Sequence, residues 1–177
     1  EPYSMQGISE EDLLDFTPEL KAQSLATMED YVMGGLFNPP IHADNPMGKY
    51  AAMNCPGGAG GVNITSPPVA DPVNNIFYLS EHTACFTLRL IPGEEADLLF
   101  PNSTGTTTAQ YANSVRGATA RTPRHPSGLP IWKPPYSTIV AYDMDTGEKK
   151  FTVPTGETPQ RYKDAFERAG VSESVYG

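Results

Sequence analysis

Apolar positions along the chain follow two periods. Near the N-terminus they recur at helical spacing; after residue 69 they come in short runs or alternate with polar residues. Ser9 followed by Glu10, Glu11 and Asp12 has the form of an N-cap with acids in the first turn. Thr17-Pro18-Glu19-Leu20 is a second start signal, because Thr17 can cap orphan N–H groups and Pro18 suits the first helical position. Leu20, Leu25, Met28 and Val32 can then share one apolar face, and Gly34-Gly35 followed by Pro39-Pro40 predicts the stop. Residues 1–40 therefore read as a helical excursion. Residues 41–62 read as irregular, with the glycine cluster 57–61 just ahead of the first strand signal.

Strand signals begin after the turn-like Asp71-Pro72-Val73-Asn74, with the run Asn75-Ile76-Phe77-Tyr78-Leu79. Phe86, Leu88 and Leu90 alternate with Cys85, Thr87 and Arg89, which predicts a half-buried strand ended by Pro92-Gly93. Residues 101–135 lack periodicity and read as a long loop insertion. A hairpin follows, with strands at 138–142 and 149–153 around the turn 143–147. A short helix is predicted from Thr158-Pro159, with Gly170 beyond its end. Two segments, 69–79 and 139–151, share one plan of strand, Asp-rich turn and strand.

Composition narrows the fold class. Gly (16) and Pro (18) occupy about a fifth of 177 residues, against roughly 12% in average usage. So many breakers exclude a helical bundle or a coiled coil. No apolar run approaches the roughly 20 residues of a membrane-spanning helix. The net charge of −9 repels phosphate backbones, so no nucleic-acid partner is expected. The chain opens Glu1-Pro2-Tyr3 without an initiator Met, as a processed protein or a fragment would. Cys55 and Cys85 permit one disulfide, but buried free thiols are the expected state of both.

Candidate chemistry is sparse. The glycine cluster is no phosphate loop, because no Lys-Ser/Thr follows and a strand, not a helix, comes next. Glycine there suits close approach of another backbone or a flat ligand. Glu81, His82 and Cys85 do not complete a metal-ligand set, and no metal site is assigned. Trp132-Lys133-Pro134-Pro135-Tyr136 is either a rigid loop packed over a sheet or the wall of a ligand pocket.

Four stretches, in order, resemble the quinoprotein dehydrogenases that use pyrroloquinoline quinone. They are 8–20 continuing to Gly35-Leu36-Phe37-Asn38-Pro39-Pro40; Gly60-Gly61-Val62-Asn63 with Asp71-Pro72 and Ile76-Phe77-Tyr78; Gly128-Leu129-Pro130-Ile131-Trp132-Lys133-Pro134-Pro135-Tyr136; and Ala141-Tyr142-Asp143-Met144-Asp145-Thr146-Gly147-Glu148, ending at Phe151. The similarity is closest to the glucose- and alcohol-oxidising branch. It implies a mainly β fold: part of an eight-bladed β-propeller, with short helices and long loops. A blade takes on the order of 40–50 residues, so with insertions about two blades are expected. Residues 1–177 would all belong to that single quinoprotein propeller domain.

The resemblance also implies an activity: oxidation of an alcohol or sugar by hydride transfer to the quinone. A calcium ion would sit beside the quinone near the propeller axis, its ligands outside this segment, as would the catalytic base. The expected partners are the small-molecule alcohol or sugar, a quinone or cytochrome electron acceptor, and the remaining blades of the propeller. The implied location is periplasmic, soluble or membrane-associated through other parts of the polypeptide, and the fragment alone is expected to be inactive. Carried over by position, Asn63 faces the quinone, and Gly60 and Gly61 let the chain pass close to the axis. Trp132 and Lys133 match the segment before the blade motif and complete the cofactor-binding candidates. The family's Trp after the Asn is Ile64 here, and its blade-ending Trp is Phe151. Ile64 motivates the alternative expectation of a non-catalytic propeller that binds or scaffolds.

Overall fold

The computed structural model describes residues 1–57, 60–62, 67–92 and 122–176, and the main chain of 110–113. Two sheets dominate. The first is four-stranded and antiparallel, built from β6 (Val69–Asp71), β7 (Ile76–His82), β10 (Ser137–Asp143) and β11 (Lys149–Pro154), side by side in chain order. This up-and-down order is that of a propeller blade.

Two Asp-centred turns close its hairpins. Asp71 Oδ1 accepts from the N–H groups of Val73 (2.9 Å) and Asn74 (3.2 Å). Asp143 Oδ1 accepts likewise from Asp145 (2.9 Å) and Thr146 (3.2 Å). These are Asx turns, in which a short carboxylate substitutes for a missing backbone acceptor. The turns also touch: Asn75 Nδ2 donates to Asp145 Oδ1 at 3.0 Å, and Met144 N–H to the Asn75 carbonyl at 2.8 Å. The shared strand–turn–strand plan of 69–79 and 139–151 is thus one blade made of two hairpins.

The second sheet combines strands that precede the blade in the chain with two that lie between β7 and β10. β8 (Phe86–Ile91) is its spine. β5 (Ala51–Asn54) runs antiparallel to β8 and β4 (Ile41–His42) parallel, on one edge. β9 (Gln110–Asn113) takes the other edge, inside the stretch read as a long loop. β2 (Tyr31–Val32) extends the sheet beyond β5, and β1 (Gly7–Ile8) pairs with β3 (Gly34–Gly35) separately. The predicted in–out alternation of β8 is not seen. Thr87 and Leu88 are both buried, because neighbours cover both faces of this strand.

The helices are shorter than the apolar spacing predicts. Ser9 starts only a single 3₁₀ turn, Glu10–Asp12, where its N–H donates to Asp12 Oδ2 at 2.7 Å. α1 (Pro18–Met28) begins as expected, with Thr17 Oγ1 accepting from Leu20 N–H at 3.2 Å. It ends at Met28 and not at Gly34, because Tyr31 and Val32 pair with β5. α2 (Gln160–Arg168) starts after Pro159, and α3 (Glu173–Tyr176) follows Gly170. One core joins Leu13, Met28, Met53, Ile131 and Trp132 to the two cysteines. A second packs Leu14, Leu20 and Leu129 against Phe166 and Tyr176 of the C-terminal helices. The chain is therefore mainly β, a partial propeller with short helices and long loops.

Candidate functional site

The sequence candidates gather at one end of the blade, where β7 stops and β10 begins. The register that pairs Ala52 with Leu88 and Asn54 with Phe86 brings Cys55 opposite Cys85. The two are bonded, with Cα atoms 4.5 Å apart. The expectation of free thiols is thereby corrected: antiparallel pairing of β5 with β8, not chain spacing, brings the sulfurs together.

This bridge anchors the glycine cluster. Gly57 N–H donates to the Ala84 carbonyl at 2.7 Å, and Gly61 N–H to the His82 carbonyl at 2.8 Å. A β-carbon on Gly57 would enter the Phe86 ring, and one on Gly60 would meet the carbonyls of Ala84 and His82. Close backbone approach is what the glycines serve, as their sequence suggests. Gly61 differs. It has φ +70°, and among the described residues only Pro56 lies within 4 Å of its missing side chain. Asn63 lies outside the described residues.

Segment 82–84 separates two flanks. Gly61 bridges His82 on the edge that β6 continues. Tyr136 and Ser137 take the opposite edge, where Thr83 N–H donates to the Tyr136 carbonyl at 2.9 Å. Trp132 and Lys133 lie on this second flank and diverge from each other. Trp132 is buried against the disulfide and forms part of the wall of a cleft. Lys133 Nζ pairs with Asp15 at 3.2 Å and lines a different cavity of about 350 Å³. Neither cavity is lined by Gly60 or Gly61. Trp132 instead joins the glycine turn through the Cys55–Cys85 bridge. It is both the packed loop and the pocket wall that its sequence left open.

Glu81 was legible only as an incomplete metal ligand. It is in fact a buried carboxylate held by hydroxyls: Ser4 Oγ donates to Oε1 at 2.7 Å, Thr83 Oγ1 to Oε1 at 3.2 Å and Thr138 Oγ1 to Oε2 at 3.3 Å. His82 faces the other side of the strand and Cys85 is bonded. Among the described residues no group of three or more His, Cys, Asp or Glu could hold a metal ion, and no helix is long and apolar enough to cross a membrane.

What this end of the blade can do follows from its donors. Without a side chain, Gly61 admits a flat group to the main chain. On the outer flank, Trp132 Nε1–H and the Tyr136 hydroxyl are buried without partners among the described residues.

Comparison with protein families gives one match. The model described as PQQ, glucose/ethanol/alcohol dehydrogenase, beta-propeller domain, aligns with residues 1–174. Comparison with curated proteins and with solved structures gives no match.

Proposed function

Because the chain belongs to the PQQ β-propeller family of glucose, ethanol and alcohol dehydrogenases, we propose that it is the part of a quinoprotein oxidoreductase that helps to seat pyrroloquinoline quinone. The observation that carries this reading is the main chain of Gly61, which among the described residues only Pro56 approaches on its side-chain side, bridged to His82 at the end of β7. When bound, the quinone accepts a hydride from the carbon of an alcohol or sugar.

The chain's own part is binding and orientation. Gly60 and Gly61 carry the backbone past the ring at close range. Asn63, two residues on, offers an amide that both donates and accepts, which suits a ring edge of carbonyl and carboxylate oxygens. Trp132 is a positioning residue: it packs on the disulfide that fixes the glycine turn. Lys133 ties the outer flank to the N-terminal segment through Asp15. We place the catalytic base and the ligands of a calcium ion on other blades. A disulfide supports an oxidising compartment, and we propose the periplasm.

The test is reconstitution. The full-length polypeptide is supplied with calcium and quinone, and dye reduction is followed with a panel of alcohols and aldoses. Turnover of at least one substrate is expected. Complete inactivity with quinone content verified by absorbance would defeat the dehydrogenase reading. It would favour the binding propeller that Ile64, in place of the family's Trp, suggests.

A further inference from the structure

The cleft on the outer flank has a volume of about 580 Å³, within the range of small-molecule sites. Its walls come from two parts of the chain that the disulfide and the C-terminal helices hold in place. Trp132 and Tyr136 stand on the segment entering β10; Arg161, Tyr162 and Tyr176 stand on α2 and α3; Arg124 also lines the cleft. The Tyr136 and Tyr162 rings meet edge to face with centroids 5.5 Å apart. Such a lining selects a flat apolar body.

The polar groups select its charge. Trp132 is 8% exposed and its Nε1–H has no partner among the described residues; the Tyr136 hydroxyl is buried and has none there either. Burial, and secondarily Tyr162, push the Tyr136 pKa well above its ordinary value, so this hydroxyl keeps its proton. Arg124 and Arg161 form no ion pair with a carboxylate among the described residues, though Arg161 lies over the Tyr162 ring at 4.7 Å. Glu157 also lines the cleft, but Lys163 holds it at 3.4 Å. Two cations and two buried hydrogen-bond donors therefore face a predominantly aromatic and proline-lined space in a chain of net charge −9.

We propose that this cleft is a binding site for a planar aromatic carboxylate, distinct from the seat of the quinone. The distinction is geometric. Gly60 and Gly61 lie on the β6 edge of segment 82–84, the flank that the family resemblance turns to the propeller axis. The cleft lies across that segment, on the β10 and β11 side. The ring of the ligand packs among Trp132, Tyr136 and Tyr162. Its carboxylate accepts from Arg124 or Arg161, bidentate guanidinium–carboxylate pairing being the strongest such contact. This site does not depend on the dehydrogenase reading, since a chain that never took up quinone would still carry it.

The test is calorimetric titration of the full-length, quinone-loaded protein with 2-naphthoate, and with 2-naphthamide as the uncharged isostere. One naphthoate per chain is expected, with the amide weaker by about tenfold or more, the size of one charge-assisted contact. Arg124→Gln and Arg161→Gln are each expected to weaken naphthoate by about three- to tenfold while quinone content stays unchanged. Both arginines are exposed, so their replacement spares the fold. Trp132→Phe keeps the ring, removes the N–H and is expected to weaken binding as well. Absent binding, equal affinity for acid and amide, or arginine variants that bind as the parent does would overturn the proposal. So would naphthoate displacing the quinone, or loss of quinone from the arginine variants, because the cleft would then be the quinone's own seat.

Discussion

A β-carbon added at Gly57 would stand 2.0 Å from the Phe86 ring and 2.6 Å from the Ala84 carbonyl, which is backbone and has little room to retreat. Gly57→Ala is therefore expected to lower stability by about 1–3 kcal/mol, the usual cost of overpacking, read as a lower urea midpoint with unchanged slope. Asn63→Leu belongs to the quinone instead. It is expected to weaken quinone binding by about 1–3 kcal/mol in equilibrium dialysis, the penalty for leaving polar atoms unpaired. Unchanged affinity would show that Asn63 faces away from the ring. His125 supplies a pH dependence. It is buried, its Nδ1 accepts from Ser127 N–H at 3.1 Å, and its Nε2 lies 3.3 Å from the Leu20 carbonyl, to which the neutral ring donates. Burial lowers its pKa below 6.5, outweighing the opposing effect of Leu20. The unfolded chain thus takes up the proton first. Stability from this group is whole above about pH 6.5 and falls with pH through the lowered native value. Urea midpoints measured from pH 7.5 down to 5 should fall, and His125→Gln should flatten the fall. At this scale the sequence was informative about type and silent about partner: glycine announced a close approach, but only the fold shows that Ala84 and Phe86 are what it approaches.

Between elements, the pairing of β5 with β8 decides most. The 30-residue spacing of the cysteines says nothing about register, and residues 51–54 alternate too weakly to announce a strand. The disulfide could not be read before that pairing was known. Replacing both cysteines with alanine is expected to cost about 2–5 kcal/mol in chemical denaturation, with the glycine turn the first region to lose hydrogen-exchange protection. The hairpins were more legible. Their Asp and Gly punctuation acts within a few residues, so β6–β7 and β10–β11 fell where turn chemistry put them. The end of α1 was not legible, since helix competes there with strand pairing to residues 51 and 52, about 20 positions away. Glu81 and the arginines of the outer cleft were missed for a similar reason. A buried carboxylate, and a guanidinium with no ion pair among the described residues, become visible only when the elements around them are in place.

As a whole, the molecule leaves apolar side chains exposed on one blade face. By register, Val69, Tyr78, Phe151 and Val153 share that face, and three of them are 42–62% exposed. The Tyr78 and Phe151 rings already lean together, with centroids 6.4 Å apart. In a closed propeller the next blade buries this face, so Val153→Asp should destabilise the full-length protein by about 1–3 kcal/mol in thermal melts. In the 177-residue chain alone the same change should cost no more than about 0.5 kcal/mol, and it should reduce self-association in analytical ultracentrifugation. Equal effects in the two settings would mean that this face stays uncovered.

The excursion that carries β8 and β9 leaves β7 and re-enters β10 at paired neighbours, His82 and Ser137, on strands that lie about 4.8 Å apart. That excursion is fastened a second time, to residues ahead of the blade, by the pairing of β8 with β5 and by the Cys55–Cys85 bond. Exchanging residues 83–136 for a tight turn would leave the blade's own ladder paired but would strip β5 and Cys55 of their partners. A mooring at two points ties the excursion to the segment ahead of the blade, so the two have to change together.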